Sequence, residues 1–279
     1  MINEIEPHVF NNQFKNRAEL SPESPVFIFG DEKPAAVMTR NNRIPLYKDV
    51  KGAELDFIYL FNFDGKDAFL FTDYLRDRLD GSFVLRSFKD LRDGYDFPGH
   101  EYFLSMTAFQ LRNWYMNNRF CGRCGGKTKM SEKERAIVCP SCGNIIYPRI
   151  VPAITVAIID RERDKILLTK YAGRDISFFV LVSGFTEIGE TLEETVKREA
   201  FEETGLRVKN VTYFASQPWG IVDDLMVGFY CDLDGEPEIV RDQAELKDAR
   251  WFSREEVELE PRDISLTNAL MRAFKDNRI

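Results

Sequence analysis

The chain has 279 residues, of which 44% are hydrophobic, and it carries a formal net charge of −8 at pH 7. This composition excludes a disordered chain and argues against a generally basic nucleic-acid surface. Only two histidines occur, which disfavours a mechanism built on a histidine base. The N-terminal segment MINEIEPHVF has no apolar core like that of a signal peptide, and no run of about 18 apolar residues occurs. We therefore expect a cytoplasmic protein without a membrane span.

The first part of the chain is predicted to be β-rich. Between residues 25 and 88, the runs SPVFIFG, DFIYLFNF and DAFLFT combine aromatic and β-branched residues and are separated by turn-forming residues. Residues 99–118 then carry apolar side chains at close to helical spacing, which predicts a helix that leads into the next segment. We assign residues 1–118 to a β-rich N-terminal domain ending in this helix, 119–146 to a cysteine-containing module, and 147–279 to a C-terminal domain.

The C-terminal part mixes strand and helix patterns. Strands are predicted in YPRIVPAITVAIID, KILLTKY and FFVLVSGF, followed by a helix over 190–204 that ends at Gly205, a residue type favoured after the last helical turn. VTYFASQ, DLMVGFYCDL and ELKDARWFS predict further strands, and residues 263–276 predict an amphipathic helix. This order predicts an α+β fold, with Cys231 as a small buried hydrophobic residue.

Two CxxC pairs, Cys121 with Cys124 and Cys139 with Cys142, are separated by fourteen residues. Each pair can form a tight turn that directs both sulfurs at one ion, and four thiolates satisfy a tetrahedral, structural Zn²⁺ with no open position. Disulfides or free thiols are the alternatives, and disulfides fit poorly with a chain that lacks a secretion signal. A zinc ribbon can also bind nucleic acid, but the mixed charges between the pairs favour a scaffold role.

Residues 184–206, GFTEIGETLEETVKREAFEETGL, contain seven glutamates in twenty-three residues. On the predicted helix, Glu199, Glu202 and Glu203 lie at i, i+3 and i+4, so their carboxylates share one face. Hard oxygen ligands of this kind suit Mg²⁺ or Mn²⁺, and the neighbouring Arg198 can hydrogen-bond carboxylates in a fixed geometry. A solvated acidic helix face is the alternative interpretation.

The earlier glutamates of the same segment have a different interpretation. We place Glu190, Glu193 and Glu194 in the first turn of the helix, where negative charge suits the helix dipole. The segment would thus use its first glutamates to stabilise the start of the helix and its last ones to hold metal.

The spacing of Gly184, Glu190 and REAFEETGL at 198–206 resembles the Nudix box of the Nudix hydrolases, with Ala200 where a larger aliphatic residue is usual. The order of a zinc ribbon, YPRIVPAI at 147–154, this box and SQPW at 216–219 resembles the NADH pyrophosphatase branch of that family, which also removes NAD caps from RNA. The resemblance implies a C-terminal Nudix α/β/α sandwich with a mixed sheet, preceded by the ribbon and a β-rich, degenerate Nudix-like N-terminal domain.

The resemblance also implies a reaction and roles for individual residues. The reaction would be metal-dependent hydrolysis of the diphosphate of NADH- or NAD-type dinucleotides to NMNH or NMN plus AMP, with NAD-capped RNA as a further substrate. Glu199 and Glu203 would be Mg²⁺ or Mn²⁺ ligands, Glu202 a ligand or an aid to water activation, and Glu245 a further ligand or the base. The positions matching substrate contacts in the branch are Tyr147, Ser183, Phe185, Ser216, Gln217, Pro218, Trp219 and Glu134. Of these, Tyr147 and Phe185 match the aromatic residues that sandwich the nicotinamide end.

The chain departs from the branch after SQPW, where Pro-Phe-Pro and a serine are usual and this sequence has GIVDD at 220–224. We expect a more flexible and more negative loop there, which leaves selectivity for NADH open.

ADP-ribose or diadenosine polyphosphates are alternative substrates within the family. A non-catalytic NAD or ADP-ribose sensor is an alternative of another class, but such modules usually lose box glutamates that are all present here. Arg149, Lys170 and Arg174 are candidates for phosphate contact, and the resemblance implies a homodimer.

Overall fold

The computed structural model describes residues 1–30, 36–50, 56–72, 79–94, 96–173 and 178–279. The chain divides into two compact units, one formed by Asn3–Arg149 with Gly220–Asp223 and the other by Met1–Ile2, Ile150–Trp219 and Asp224–Ile279. We call them the N-terminal unit and the C-terminal unit. No helix in the described ranges is long and apolar enough to cross a membrane.

The N-terminal unit is β-rich, as the sequence predicted. Its elements are β1 (Phe10–Asn11), β2 (Val26–Phe27), β3 (Ala36–Arg40), a 3₁₀ turn (Tyr47–Asp49), β4 (Phe57–Phe63), β5 (Lys66–Phe71), β6 (Phe83–Ser87), α1 (Phe88–Asp93), α2 (Gly99–Asn117), β7 (Lys129–Met130), β8 (Ile137–Val138) and β9 (Ile145–Ile146). They form three sheets, with strand orders β1-β4-β5-β2, β3-β6 and β7-β8-β9. Helix α2 confirms the helix predicted over 99–118.

Hydrophobic residues fix the core of this unit. Val26, Ile28, Met38 and Phe71 pack into one buried cluster beneath the strands. Helix α2 buries an almost continuous set of side chains, including Tyr102, which is 1% exposed. The β4–β5 hairpin turns at Asp64 and Gly65, both at positive φ, as the Asp-Gly dipeptide favours in a tight hairpin.

The C-terminal unit is built around a mixed sheet. Its elements are β10 (Val151–Asp160), β11 (Lys165–Tyr171), β12 (Val182–Phe185), α3 (Leu192–Thr204), β13 (Val208–Trp219), β14 (Asp224–Leu233), β15 (Leu246–Phe252) and α4 (Leu266–Lys275). The strand order is β13-β14-β10-β11-β15, and β12 also pairs with β10. Strands β10 and β14 run parallel, whereas the other pairs are antiparallel.

Alternation along β10 creates two cores. Ile154, Val156 and Ile158 lie in one buried cluster with Val196 and Ala200 of α3. The intervening side chains of the strand, Ala157 and Ile159, belong to a second cluster with α4 residues such as Phe274. Because successive strand residues face opposite sides of a sheet, this pattern places one helix on each face. The predicted α+β fold with an α/β/α sandwich is confirmed, and Cys231 is fully buried in the α3 cluster.

Candidate active site and zinc site

Helix α3 begins at Leu192, two residues after its predicted start at residue 190, so Glu190 lies outside the helix. Thr191 is the N-cap, because its hydroxyl accepts from the backbone N–H of Glu194 and the Glu194 carboxylate accepts from the N–H of Thr191. Glu193 and Glu194 lie in the first turn, as predicted. The placement of Glu190 in that turn is wrong, since the capping box starts the helix after it. The helix ends at Gly205, whose φ of 72° is left-handed.

Glu190 instead forms a bidentate pair with Arg198. The Arg198 Nε and Nη2 groups donate to Glu190 Oε1 and Oε2 over 2.6 and 3.0 Å. Hydrogen bonds from Arg198, with others from the Glu187 N–H and the Thr195 hydroxyl, lower the pKa of Glu190 to about 2. The pair ties the loop before the helix to its second turn.

The remaining donors of Arg198 organise the box carboxylates. Its Nη1 donates to Glu199 Oε1 at 2.8 Å and to Glu202 Oε2 at 3.0 Å, and its Nη2 donates to the Phe185 carbonyl at 2.9 Å. The Arg198 guanidinium therefore links three parts of the chain: the end of β12, Glu190 in the loop before α3, and two glutamates of α3 itself. Only arginine has enough donors in a planar fork for this arrangement.

Glu199 lies against the strand that faces it. Its side chain is 11% exposed, and a methyl group added to Gly184 would lie 2.0 Å from Glu199 Oε1. Burial raises the pKa of Glu199, while Arg198 acts in the opposite direction and the charges of Glu202 and Glu245 raise it further. The box glycine is thus needed because the carboxylate occupies the space beside its α carbon.

Glu203 is buried beside Tyr171, a residue that the sequence analysis missed. Glu203 is 2% exposed, and its Oε1 lies 3.2 Å from the Tyr171 hydroxyl. The same hydroxyl accepts from the Ser183 N–H at 2.9 Å and lies 3.1 Å from the Ser183 carbonyl. Tyr171 is at the end of β11, and no local pattern indicates its contact with Glu203, 32 residues further along the chain.

Glu202 and Glu245 present more accessible carboxylates. The side chain of Glu202 is 59% exposed, and Glu245 is exposed just before β15. The Glu245 carbonyl accepts from the Ala172 N–H at 2.7 Å, and its charge acts on Glu199. The candidate site thus combines the buried carboxylates of Glu199 and Glu203 with the exposed ones of Glu202, in the box, and Glu245, outside it. The carboxylates are spread more widely than the cysteines, which alone among the described residues bring three or more metal-binding groups within 4.8 Å of one another.

The predicted substrate residues are distributed over both units. In the C-terminal unit, Ser183 and Phe185 lie on β12, with Phe185 52% exposed, and residues 216–219 end β13. Gln217 is buried, and its amide donates to the Ile264 carbonyl at 3.0 Å. In the N-terminal unit, the hydroxyl of the exposed Tyr147 donates to Glu134 at 3.1 Å.

The segment after SQPW is a short turn between β13 and β14. Residues 220–223 form it, and Asp223 adopts a positive φ of 64°. Burial raises the pKa of Asp223, against the influence of Arg149. Lys170 lies over the Phe179 ring at 4.3 Å, and Arg174 lies outside the described residues.

The four cysteines converge in two equivalent turns. Cys121 Sγ lies 3.7 Å from Cys142 Sγ, and Cys124 Sγ lies 3.5 Å from Cys139 Sγ. Gly125 donates its N–H to the Cys121 carbonyl and Gly143 to the Cys139 carbonyl, each glycine at positive φ.

The sulfur chemistry of this cluster suits zinc. All five cysteines of the chain are free thiols, which excludes the disulfide alternative in this structure. Backbone N–H groups of Arg123 and Cys124 lower the pKa of Cys121 to about 6. At Cys124, a backbone hydrogen bond from Gly126 is outweighed by the Cys142 and Cys139 sulfurs, which raise the pKa of that thiol. The Cys121 thiolate is thus favoured by the backbone, and a bound cation would favour the others. Four sulfurs in this arrangement fit a closed, structural zinc site.

Comparisons with known proteins identify two domains and several similar proteins. A NUDIX domain matches residues 150–272, and an NADH pyrophosphatase zinc ribbon domain matches residues 117–147. The NAD-capped RNA hydrolase NudC of Vibrio parahaemolyticus is 37% identical over 189 residues, which cover 68% of this chain and 70% of that protein. The NudC of Haemophilus influenzae strain PittEE is 37% identical over 171 residues, covering 60% of this chain and 64% of that protein. The structure of a NUDIX hydrolase from Nitrosomonas europaea, 23% identical, has a TM-score of 0.48 and covers 57% of this chain and 92% of its own.

The chain belongs to the Nudix hydrolase family, in the branch that carries the NADH pyrophosphatase zinc ribbon. The box on β12 and α3 is therefore the candidate active site of a hydrolase, and the four-cysteine module is a zinc ribbon.

Proposed function

We propose that the protein hydrolyses the diphosphate of NADH- or NAD-type dinucleotides, giving NMNH or NMN plus AMP, and that NAD-capped RNA is a further substrate. The observation that carries the reaction type is the set of box carboxylates held by Arg198 on α3. The names of the NudC relatives support the substrate class.

We also propose that the carboxylates of Glu199, Glu202, Glu203 and Glu245 hold Mg²⁺ or Mn²⁺. Their oxygen donors suit a hard divalent cation. The fit is supported by Glu199, whose burial and acidic neighbours raise its pKa, because a nearby cation would offset both effects. When bound, such a cation neutralises charge on the diphosphate oxygens.

The residues of the chain then divide the remaining work. A water molecule attacks one phosphorus, the bond from that phosphorus to the bridging oxygen breaks, and two monophosphates leave. Either Glu202 or Glu245, whose carboxylates are exposed, would accept the proton of the water in place of a role as metal ligand. Arg198 holds Glu199 and Glu202 in position, and Tyr171 holds Glu203.

Substrate recognition is assigned to the aromatic and polar positions of the branch. Phe185 offers an exposed ring at the start of the box, and Tyr147 offers another in the N-terminal unit. In a homodimer, Tyr147 of one copy would stack on the base opposite Phe185 of the other. Ser183, Ser216, Gln217, Pro218, Trp219 and Glu134 complete the proposed substrate set.

The test is a panel of NADH, NAD, ADP-ribose, diadenosine polyphosphates and NAD-capped RNA, each assayed with Mg²⁺ and with Mn²⁺. We expect the highest kcat/KM for NADH or NAD, with AMP as a product. Cleavage of ADP-ribose or diadenosine polyphosphates alone would favour the alternative substrates. Tight binding of NAD without cleavage would favour the sensor, and light scattering on the same preparation tests the dimer.

A further inference from the structure

A groove of about 870 Å³ lies entirely within the N-terminal unit and is separate from the box. It runs between the strands β4 and β5, the end of α2 and the zinc ribbon. Its lining combines cationic side chains with aromatic rings, which is the composition of channels that follow a nucleic-acid backbone and stack its bases.

The cationic residues of the groove are Lys15, Arg119, Lys127, Lys129 and Arg135, against the acidic residues Asp56, Glu132 and Glu134. The groove therefore carries an excess of positive charge in a protein whose net charge is −8. Such a local reversal of sign is what a polyanion would recognise.

Three of the cationic side chains form no ion pair, within the described ranges, that would explain them as structural residues. Arg119, Lys127 and Lys129 are exposed, and none has a carboxylate partner within 4.0 Å among the described residues. By contrast, Lys15 donates to the buried Asp67 at 2.6 Å, and Arg135 donates to the Leu60 carbonyl at 2.6 Å. Arg119, Lys127 and Lys129 are therefore available to contact phosphates. Lys15 and Arg135 instead form hydrogen bonds within the walls of the groove.

The aromatic residues add a stacking surface. Phe14, Phe57 and Tyr59 line the groove and are half-buried, so part of each ring remains accessible. Lys15 and Arg135 lie 5.9 and 6.0 Å from the centre of the Tyr59 ring. Glu134 also lines the groove, and its carboxylate accepts a hydrogen bond from Tyr147, the residue assigned to base stacking in the proposed function.

We propose that this groove binds the single-stranded RNA chain of a capped substrate, with Arg119, Lys127 and Lys129 contacting its phosphates. The proposal rests on the proposed function for the identity of the cap. The assignment of the groove as an RNA-binding site rests on its cationic side chains and its aromatic rings. Single strands fit it because accessible bases can stack on the rings, which paired bases cannot do.

The test compares the triple variant R119A/K127A/K129A with the control K48A/K89A/K209A, which removes three exposed lysines outside the groove and changes the net charge equally. Binding is measured by fluorescence anisotropy with an uncapped single-stranded RNA 20-mer, its duplex, and a salt series. We expect the groove variant to bind the single strand at least about tenfold more weakly and to lose about 2 from the slope of log K against log salt, as about 0.7 per phosphate contact predicts. Its zinc content and its kcat/KM for NADH should match the control.

Equal losses in both variants would overturn the proposal, since net charge alone would then explain binding. So would unchanged binding in the groove variant, or equal affinity of the wild type for single strand and duplex. A wild type that cleaves no dinucleotide with either metal contradicts the proposed function instead, because the uncapped RNA measures the groove without turnover.

Discussion

The Glu199 carboxylate fills the space beside the α carbon of Gly184, where a methyl group would lie 2.0 Å from Glu199 Oε1. Since this carboxylate is the end of a flexible side chain, we expect Gly184→Ala to displace it and leave the backbone in place. Turnover of NADH should fall at least about a hundredfold, as expected for a misplaced metal ligand, while the melting temperature falls by only a few degrees. Gly99→Ala, where nothing lies within 4 Å of the added methyl group, is the matched control. Normal turnover in Gly184→Ala would show that the close approach has no catalytic role.

Glu202→Gln and Glu203→Gln should each lower kcat by at least about a hundredfold with the fold intact, because each removes one negative charge from the proposed metal site. The two differ in environment, since Glu203 is 2% exposed and the Glu202 side chain 59% exposed. We therefore expect a measurable loss of stability only for Glu203→Gln. Glu193→Gln, an exposed glutamate in the first turn, serves as control and should retain activity. Near-normal rates in both variants would contradict a metal-binding role for these two carboxylates.

Much of this site was predictable because its information is local in sequence. The i, i+3, i+4 spacing places Glu199, Glu202 and Glu203 on one helix face, and two CxxC pairs define the ribbon. Contacts between distant segments were not predictable in the same way. The Tyr171 hydroxyl reaches Glu203 only because the tertiary fold brings the end of β11 to the side of α3. Glu190 lies outside the helix because Thr191 is its N-cap. The basic groove also depends on tertiary structure, since Lys15 and Lys129 are far apart in the chain and their charges are diluted by an acidic composition.

Removing zinc should lower stability without changing the chemistry. Four thiolates would fill a tetrahedral zinc site and leave no position for a water molecule, so a bound ion would stabilise the three-stranded sheet of β7, β8 and β9 and take no part in hydrolysis. We expect Cys139→Ser to lose the metal and to melt at least about 5 °C lower, a shift of the size that a loss of 1–2 kcal/mol produces. The folded fraction should hydrolyse NADH at the normal rate when Mg²⁺ or Mn²⁺ is supplied. Cys231→Ser should keep its zinc by elemental analysis, and an equal loss of zinc there would contradict the assignment.

The two histidines of the chain lie in contact, and His100 should make the stability of the N-terminal unit sensitive to mild acid. The rings of His8 and His100 have centroids 3.9 Å apart, and Phe63 stacks against His100. Burial lowers the pKa of His100 below 6.5, with His8 and Arg43 acting in the same direction and Asp64 against them. His100 therefore binds a proton more weakly in the folded state than in the unfolded state. Its contribution to the free energy of unfolding is present above pH 6.5 and is lost as the pH falls below that value.

His100→Phe retains an aromatic ring and removes the titration. We expect the variant to lose less stability than the wild type between pH 7 and pH 5, as measured by urea midpoints. The measurement compares the two proteins because burial also raises the pKa of the neighbouring Glu101, and this shift favours the folded state as the pH falls. Glu101 is present in both proteins, so its effect cancels in the difference. Parallel pH profiles for the two proteins would contradict the assignment to His100.

Tyr147→Ala should weaken substrate binding more than it slows the reaction. The Tyr147 side chain is 56% exposed and is oriented by its hydrogen bond to Glu134, so its removal costs the N-terminal unit little packing. Stacking on a base is worth roughly 1–3 kcal/mol in nucleic-acid systems, which converts to a rise in KM for NADH of about tenfold or more. ADP-ribose lacks the second ring, and its KM should change less. Phe120→Ala, an equally exposed aromatic of the ribbon at 62%, is the control for a general effect on the module. An equal rise in KM for NADH and for ADP-ribose would contradict the assignment of Tyr147 to the proposed dimeric pocket. A protein that is monomeric by light scattering and fully active would contradict it as well.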